Sequence, residues 1–316
     1  FLTAIDPYGH ELWRWTFPVN KLNQQTEQLS PLSSRPAYTE TENELTVKAN
    51  KRTFIFSKKD GQLKGVSVDN RKINFANGPR FIGARRADRS LDQFYNHDDE
   101  KAKEKDRTYS EFPDAAVFTK LDVKEDGGNL VVTANYKLGN LDKAQWTINP
   151  SGELALDYTY NFSGVVDLMG IRFDYPEDQV ISKRWLGAGP YRVWQNRIHG
   201  TQYDVWENDY NDPIPGETFT YPEFKGYFGN VSWMNIQTKE GTISLTNETP
   251  DAYIGVYQPR DGRDRLLYTL PESGISVLNV IPPVRNKVNS TDLCGPSSQP
   301  KWVNGPQTGR VIFRFM

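Results

Sequence analysis

The feature that most constrains this chain is a two-residue alternation of apolar and polar side chains, broken by turns built from Gly, Asn and Asp. In residues 44–56, Leu45, Val47 and Ala49 share one face, and the alternation resumes at Phe54 and Phe56 after an irregularity near Asn50. Lys59-Asp60-Gly61 marks a turn, a second strand runs through Val66 and Val68, and Asp69-Asn70 marks the next turn. Side chains on a strand alternate faces, so this period predicts strands rather than helices. The middle of the chain repeats the pattern. Leu121 and Val123 lead to Glu125-Asp126-Gly127-Gly128, then Leu130, Val132, Ala134 and Tyr136 alternate; Ala144, Trp146 and Ile148 run up to Asn149-Pro150-Ser151-Gly152, and Leu154, Leu156, Tyr158 and Tyr160 answer them. Short turns between such runs predict an antiparallel meander. Further strands are expected over 231–237, 242–247, 253–258, 274–281 and 309–315. Residues 98–107 are charged and lack an apolar face, which predicts a solvated segment. No sustained amphipathic helix and no repeat of fixed length occurs, so the fold class is all-β.

Bulk properties narrow the function. A chain of 316 residues can be one large sandwich or two ordinary domains. A net charge of -2 gives no general attraction to nucleic acid or an anionic membrane, and no apolar run is long enough to span a bilayer. Cys294 is the only cysteine, which excludes an intrachain disulfide and a thiolate-rich metal site, and assigns no compartment. His10, His97 and His199 lack zinc-site spacing, and Lys101, Lys103 and Lys105 offset the acidic Asp98-Asp99-Glu100. Gly187-Ala188-Gly189-Pro190 lacks the Lys-Ser/Thr of a phosphate loop. No metal and no cofactor is therefore expected. Residues 20–36, with Pro31, Ser33, Ser34 and Pro36, read as a linker after a strand-like 11–18, and Phe1-Leu2-Thr3-Ala4-Ile5 reads like the middle of a strand in a longer chain. Aromatic content is 13%, which suits sugar binding, because the C–H face of a pyranose stacks on a ring.

Several motifs occur in an order that resembles the carboxy-terminal domain of glycoside hydrolase family 2 β-galactosidases. They are Glu42-Asn43-Glu44-Leu45-Thr46-Val47 with Phe54 to Leu63, Gly78-Pro79-Arg80-Phe81 with Gly83-Ala84-Arg85-Arg86-Ala87-Asp88, Trp185-Leu186-Gly187-Ala188-Gly189-Pro190-Tyr191, and Tyr221-Pro222-Glu223 before Val231-Ser232-Trp233. The third is similar to the family's W-x-G-x-G-P segment. The resemblance covers residues 37–316 and implies a large antiparallel supersandwich of the galactose mutarotase-like kind. Residues 1–19 resemble the tail of the immunoglobulin-like domain that precedes it. In the family two Glu residues on a separate (β/α)₈ barrel cleave the glycosidic bond. No eightfold strand–helix alternation occurs here, so the resemblance implies a non-catalytic region that buttresses a barrel of the same parent chain.

The same resemblance, with the aromatic pattern, nominates Trp185, Tyr191, Arg192, Trp194, Glu223, Trp233 and Trp302 as carbohydrate contacts, with no catalytic residue. A concave groove lined by Arg192, Trp194 and Glu223 is the expected site, with loops over 191–206, 213–228 and 288–302 nearest the barrel. The sequence departs from the family at three places: Arg192 stands where an acid is usual, Ala87-Asp88-Arg89 where Asp-Asn-Asp is usual, and Leu293-Cys294 where some members project a Trp that Trp302 could replace. These departures bear on galactoside specificity. Two other functions fit the same residues. An aldose 1-epimerase needs a base and an acid, for which Glu223 with His199 or His97 can be nominated; a stand-alone carbohydrate-binding module needs only the aromatic rings. Expected partners are carbohydrate, the barrel, and a second copy through exposed aromatic edges, with no nucleic acid or membrane. A bacterial polysaccharide-degrading enzyme would act in the periplasm or outside the cell.

Overall fold

The computed structural model describes residues 1–17, 34–86, 109–209, 226–256, 271–283 and 296–316. The expected charged segment 98–107, most of the linker, Glu223, His97 and Cys294 lie outside them. Among the described residues the strands are β1 (Leu2–Ile5), β2 (Glu11–Trp15), β3 (Ala37–Glu40), β4 (Glu44–Ala49), β5 (Arg52–Ser57), β6 (Leu63–Val68), β7 (Arg71–Ile73), β8 (Ala76–Arg86), β9 (Tyr109–Glu111), β10 (Val117–Asp126) and β11 (Asn129–Lys137). They continue as β12 (Leu141–Ile148), β13 (Leu154–Val166), β14 (Leu168–Asp174), β15 (Val180–Gly189), β16 (Gln202–Asp209), β17 (Trp233–Thr238), β18 (Gly241–Asn247), β19 (Tyr253–Val256), β20 (Ile275–Val280) and β21 (Lys301–Phe315). No α-helix occurs among them, and the chain is all-β.

Local turn chemistry sets where the strands end. The irregularity expected near Asn50 is a tight hairpin: Asn50 takes a left-handed φ of 51°, β4 stops at Ala49, and Ala49 pairs with Arg52. A short polar side chain tolerates that backbone region better than most residues do. Asp69 and Asn70, both at positive φ, turn β6 into β7, and Gly127 and Gly128 turn β10 into β11. At the next turn the Asn149 carboxamide oxygen accepts from the backbone N–H groups of Ser151 and Glu153, at 3.1 and 3.0 Å.

Apart from the β1–β2 hairpin, the described strands form two antiparallel sheets. Sheet I has nine strands in the order β10-β11-β12-β13-β21-β18-β17-β15-β16. Sheet II follows the path β19-β20-β14-β8-β6-β5-β4-β3, with β7 beside β6 and β9 beside β8. The expected meander is the run β10 to β13. β21 is longer than its predicted 309–315, because its first half pairs with the far end of β13, from Val166↔Lys301 onward. There Phe162 and Val166 of β13 stay in the main core and Val303 packs against it, but the next inward positions of β21 are Gly305 and Gln307, so apolar alternation is lost. Among the described strands β1 and β2 pair with each other alone.

Between the sheets the core is aromatic. Phe75 lies against Phe173 at 4.8 Å, Phe313 at 5.1 Å and Phe315 at 5.4 Å between ring centroids. Phe56 of sheet II meets Trp146 of sheet I at 5.9 Å. Each such ring removes roughly 150–250 Å² from water, the dominant favourable contribution here. Polar ties cross between the two sheets. Arg52 donates to the carbonyl of Phe315 and to that of Ser151, both at 3.1 Å, and the Tyr160 hydroxyl donates to Asn279 at 2.6 Å. Near the same end as Arg52, where the β17–β18 turn meets Met316, the Glu240 carboxylate accepts from the Asn74 backbone N–H at 3.0 Å, from the Asn74 side chain, and from the Tyr175 hydroxyl at 2.9 Å.

Candidate functional site

The glycine-rich segment after Trp185 is strand, the end of β15, rather than loop. Its glycines are dictated by packing. A Cβ on Gly187 would sit 3.0 Å from the carbonyl oxygens of Gly229 and Asn230, and one on Gly189 would strike the indole of Trp206. That indole donates to the carbonyls of Gly187 and Gln202, each at 3.2 Å. Residues 202–206, expected in a loop, are the edge strand β16, paired along β15 from Gly189↔Gln202 to Ser182↔Asp209.

After Pro190 the chain leaves sheet I and crosses the outer face of sheet II. Strand alternation explains what it covers: Phe81, Met169 and Val277 point into the main core, so their neighbours Ile82, Leu168 and Leu278 point outward. Val193, Trp194, Tyr227 and Ile281 cap those outward residues as a second hydrophobic cluster. Backbone bonds fix the cap: Val193 and Tyr227 exchange N–H···O bonds of 2.6 and 2.8 Å, and Gln195 N–H donates to Pro282 at 3.0 Å. The Gln195 carboxamide adds bonds to the carbonyls of Ser297 and Gln299, at 2.9 and 2.7 Å.

This architecture decides the accessibility of the nominated residues. Trp185 and Trp194 are both 0% exposed. Trp185 donates to the Ala188 carbonyl at 3.0 Å and meets Phe228 edge-on at 4.8 Å, while Trp194 meets Tyr227 edge-on at 5.7 Å. A sugar could stack on Trp194 only if residues 190–197 lifted away. Arg192 is buried with its guanidinium 5.9 Å from the Phe228 ring, which also faces the Lys183 ammonium at 6.0 Å. Trp233 is half-buried on β17. Tyr191, at 39%, and Trp302, at 71%, are the exposed members of the set. Glu223 is outside the described residues. His199, the nominated acid that is described, is exposed.

Beside this cap lies a cleft of about 450 Å³. Trp13, Trp15 and Phe17 of the β1–β2 hairpin form one wall, and Tyr203, Tyr253 and Asn230 contribute to the other. The Tyr203 hydroxyl bonds the Ser232 hydroxyl at 2.6 Å. Burial, with Asp251 nearby, pushes the Tyr253 hydroxyl above its usual range, so it stays protonated and able to donate in neutral water. Rings with hydroxyl and amide groups around them can hold a polyol by stacking and hydrogen bonds together. Sequence reasoning placed Trp13 and Trp15 on a strand but did not join them to Tyr203 and Tyr253, because that proximity depends on the tertiary fold. No group of three His, Cys, Asp or Glu among the described residues is placed to hold a metal. Nor is any described helix long and apolar enough to cross a membrane.

A family model for the β-galactosidase small chain matches residues 48–282. The chain belongs to that family. The match spans β5 to β20 and most of both sheets, so it covers the sandwich rather than one motif. No curated protein matches the chain. Solved structures of similar course include galactose 1-epimerase from Lactobacillus acidophilus NCFM, at 10% identity over 90% of this chain and 99% of that one, with a TM-score of 0.47. Another is the GalM/aldose epimerase homologue from C. elegans, at 7% identity over 89% and 99%, with a TM-score of 0.39. A galactose mutarotase-like protein from Lactobacillus casei shares 12% identity over 89% and 100%, with a TM-score of 0.37. Similarity at this level carries no activity from those proteins to this one.

Proposed function

We propose that this region of a β-galactosidase small chain is non-catalytic, that it buttresses a catalytic (β/α)₈ barrel of its parent enzyme, and that it contacts carbohydrate. The observation that carries the reading is Trp302. A large aromatic ring 71% exposed on β21 buries little of its own surface in this fold, so packing does not account for it. An exposed indole offers a flat apolar face of the kind a pyranose stacks on. The cleft walled by Trp13, Trp15, Tyr203 and Tyr253 supports the same reading.

The test pairs binding with turnover. Tryptophan fluorescence should report galactose or lactose binding, and Trp302→Ala should weaken it about three- to tenfold, the worth of one stacking contact. The purified chain should not turn over a nitrophenyl galactoside. Hydrolysis by the chain alone would overturn the non-catalytic reading. Catalysed mutarotation of fresh α-galactose, followed by polarimetry and lost in Glu223→Gln, would instead establish the epimerase alternative.

A further inference from the structure

We propose that a second cleft, on the outer face of sheet II, binds a small polyhydroxylated ligand carrying one oxyanion, such as a sugar acid or a sugar phosphate. The inference is independent of the aromatic cleft and of Trp302. The second cleft measures about 840 Å³, within the range of small-ligand sites. β8 and β14 form part of its lining, and their register sets Arg80 directly opposite Arg172. Two like charges facing each other across adjacent strands are destabilising unless anions intervene. Arg80 has its anion: it pairs with Asp174, which also accepts from Asn77 at 2.9 Å, and its Nε donates to the Asn77 carbonyl at 2.8 Å.

Arg172 is different. One guanidinium nitrogen donates to the backbone carbonyl of Glu272, a neutral acceptor, and its Nε has no hydrogen-bond partner among the described residues. It forms no ion pair with any described carboxylate. Asp114 is close enough for its charge to feel both guanidiniums, but it forms no ion pair with Arg172. The lining carries four cationic groups (Lys64, Lys72, Arg80 and Arg172) against three acids (Asp174, Glu177 and Glu272), with Asp114 nearby but outside it. Lys72 also forms no ion pair with a described carboxylate, and Lys64 reaches Asp60 only at 3.9 Å. No described carboxylate pairs with Arg172, so an anionic ligand group would complete it. A guanidinium meets a carboxylate or phosphate through paired N–H···O bonds, which makes it the fitting recognition group.

The rest of the lining identifies the body of the ligand. Asn74, Asn77, Tyr175 and Ser273 supply amide and hydroxyl groups, and the Ser273 hydroxyl is buried without a hydrogen-bond partner among the described residues. Only Ala76, Pro176 and Gly274 are apolar there. Such a surface favours many hydroxyls over a hydrocarbon body.

Isothermal titration calorimetry of the intact chain with galacturonate, galactose 6-phosphate, galactose and inorganic phosphate tests this. At least one charged sugar should bind about tenfold more tightly than galactose, as expected for a charge-assisted contact. The tighter of the two identifies the oxyanion. Arg172→Gln should remove that advantage and leave any galactose binding unchanged. Equal affinity for galactose and both charged sugars, or no effect of Arg172→Gln, overturns the proposal. Inorganic phosphate binding as tightly as the sugar phosphate overturns the polyol half. If Arg172→Gln does not fold, Lys72→Gln on the exposed rim should weaken the charged sugar at least about threefold, and no change there refutes the site. Because Trp302→Ala should leave this binding intact, failure of the stacking reading and failure of this one are distinguishable.

Discussion

Phe75 joins the two sheets through three neighbouring rings, and its truncation gives a worked test of the architecture. The side chain is 0% exposed, and its ring lies 4.8, 5.1 and 5.4 Å from the rings of Phe173, Phe313 and Phe315. Burial of roughly 200 Å² of ring at about 25 cal/mol per Å² sets an upper value near 5 kcal/mol. Alanine keeps the Cβ but leaves a void, so Phe75→Ala should cost about 3–5 kcal/mol. At about 2 °C per kcal/mol for a chain of this size, the melting temperature falls by roughly 6–10 °C. Trp302→Ala removes a larger ring that is mostly in water, so it should change stability by no more than about 0.5 kcal/mol. Thermal melts followed by near-ultraviolet circular dichroism, with urea titrations for the free energy, compare the two. If the tryptophan variant lost as much stability as the phenylalanine variant, Phe75 would not be the junction and the pairing of faces would be wrong.

Other consequences concern polar groups. Crowding raises the Asp114 pKa in the folded chain above its ordinary 3.8, so across that window the folded state holds the proton and stability falls as pH rises. Asp114→Asn should therefore raise the melting temperature at pH 7, with the gain vanishing at about pH 3, below both values; a gain constant across pH would show that the charge is not its source. Glu240→Gln keeps one acceptor oxygen but sets an NH₂ group among the three donors from Asn74 and Tyr175. A loss of about 1–3 kcal/mol follows, and an unchanged urea midpoint would show that the tie between the sheets does not form.

How much of this was legible beforehand varied with how each residue is buried. Leu130, Val132 and Ala134 alternate because one face of β11 meets the core, and the meander could be read directly from them. Lys301 to Thr308 gave no such signal, because the inward positions after Val303 are Gly305 and Gln307 rather than apolar side chains. Strand partners were also hidden: nothing local in 154–166 says that it will pair with 301–313. For the candidate site, the aromatic residues could be nominated from the sequence but not sorted. Trp194 and Trp302 look alike in sequence, yet one fills a second core and the other faces water, because residue identity reports affinity for burial and not whether the fold provides it. Trp13 and Tyr203 come together only through tertiary packing. The unbalanced charge of Arg172 also escaped sequence reasoning, since it depends on cross-strand register.

The place of β21 in sheet I has a consequence for how the protein is made. It is the latest in sequence of the described strands, yet it lies between β13 and β18, in the interior of the sheet. During synthesis those two neighbours emerge first, each with an open row of backbone donors and acceptors. The sheet cannot close until residues 301–315 have cleared the ribosome. Until then the nascent chain carries two sticky edges. Protection from protease should therefore arrive in a single late step on stalled ribosomes, rather than growing with each added strand.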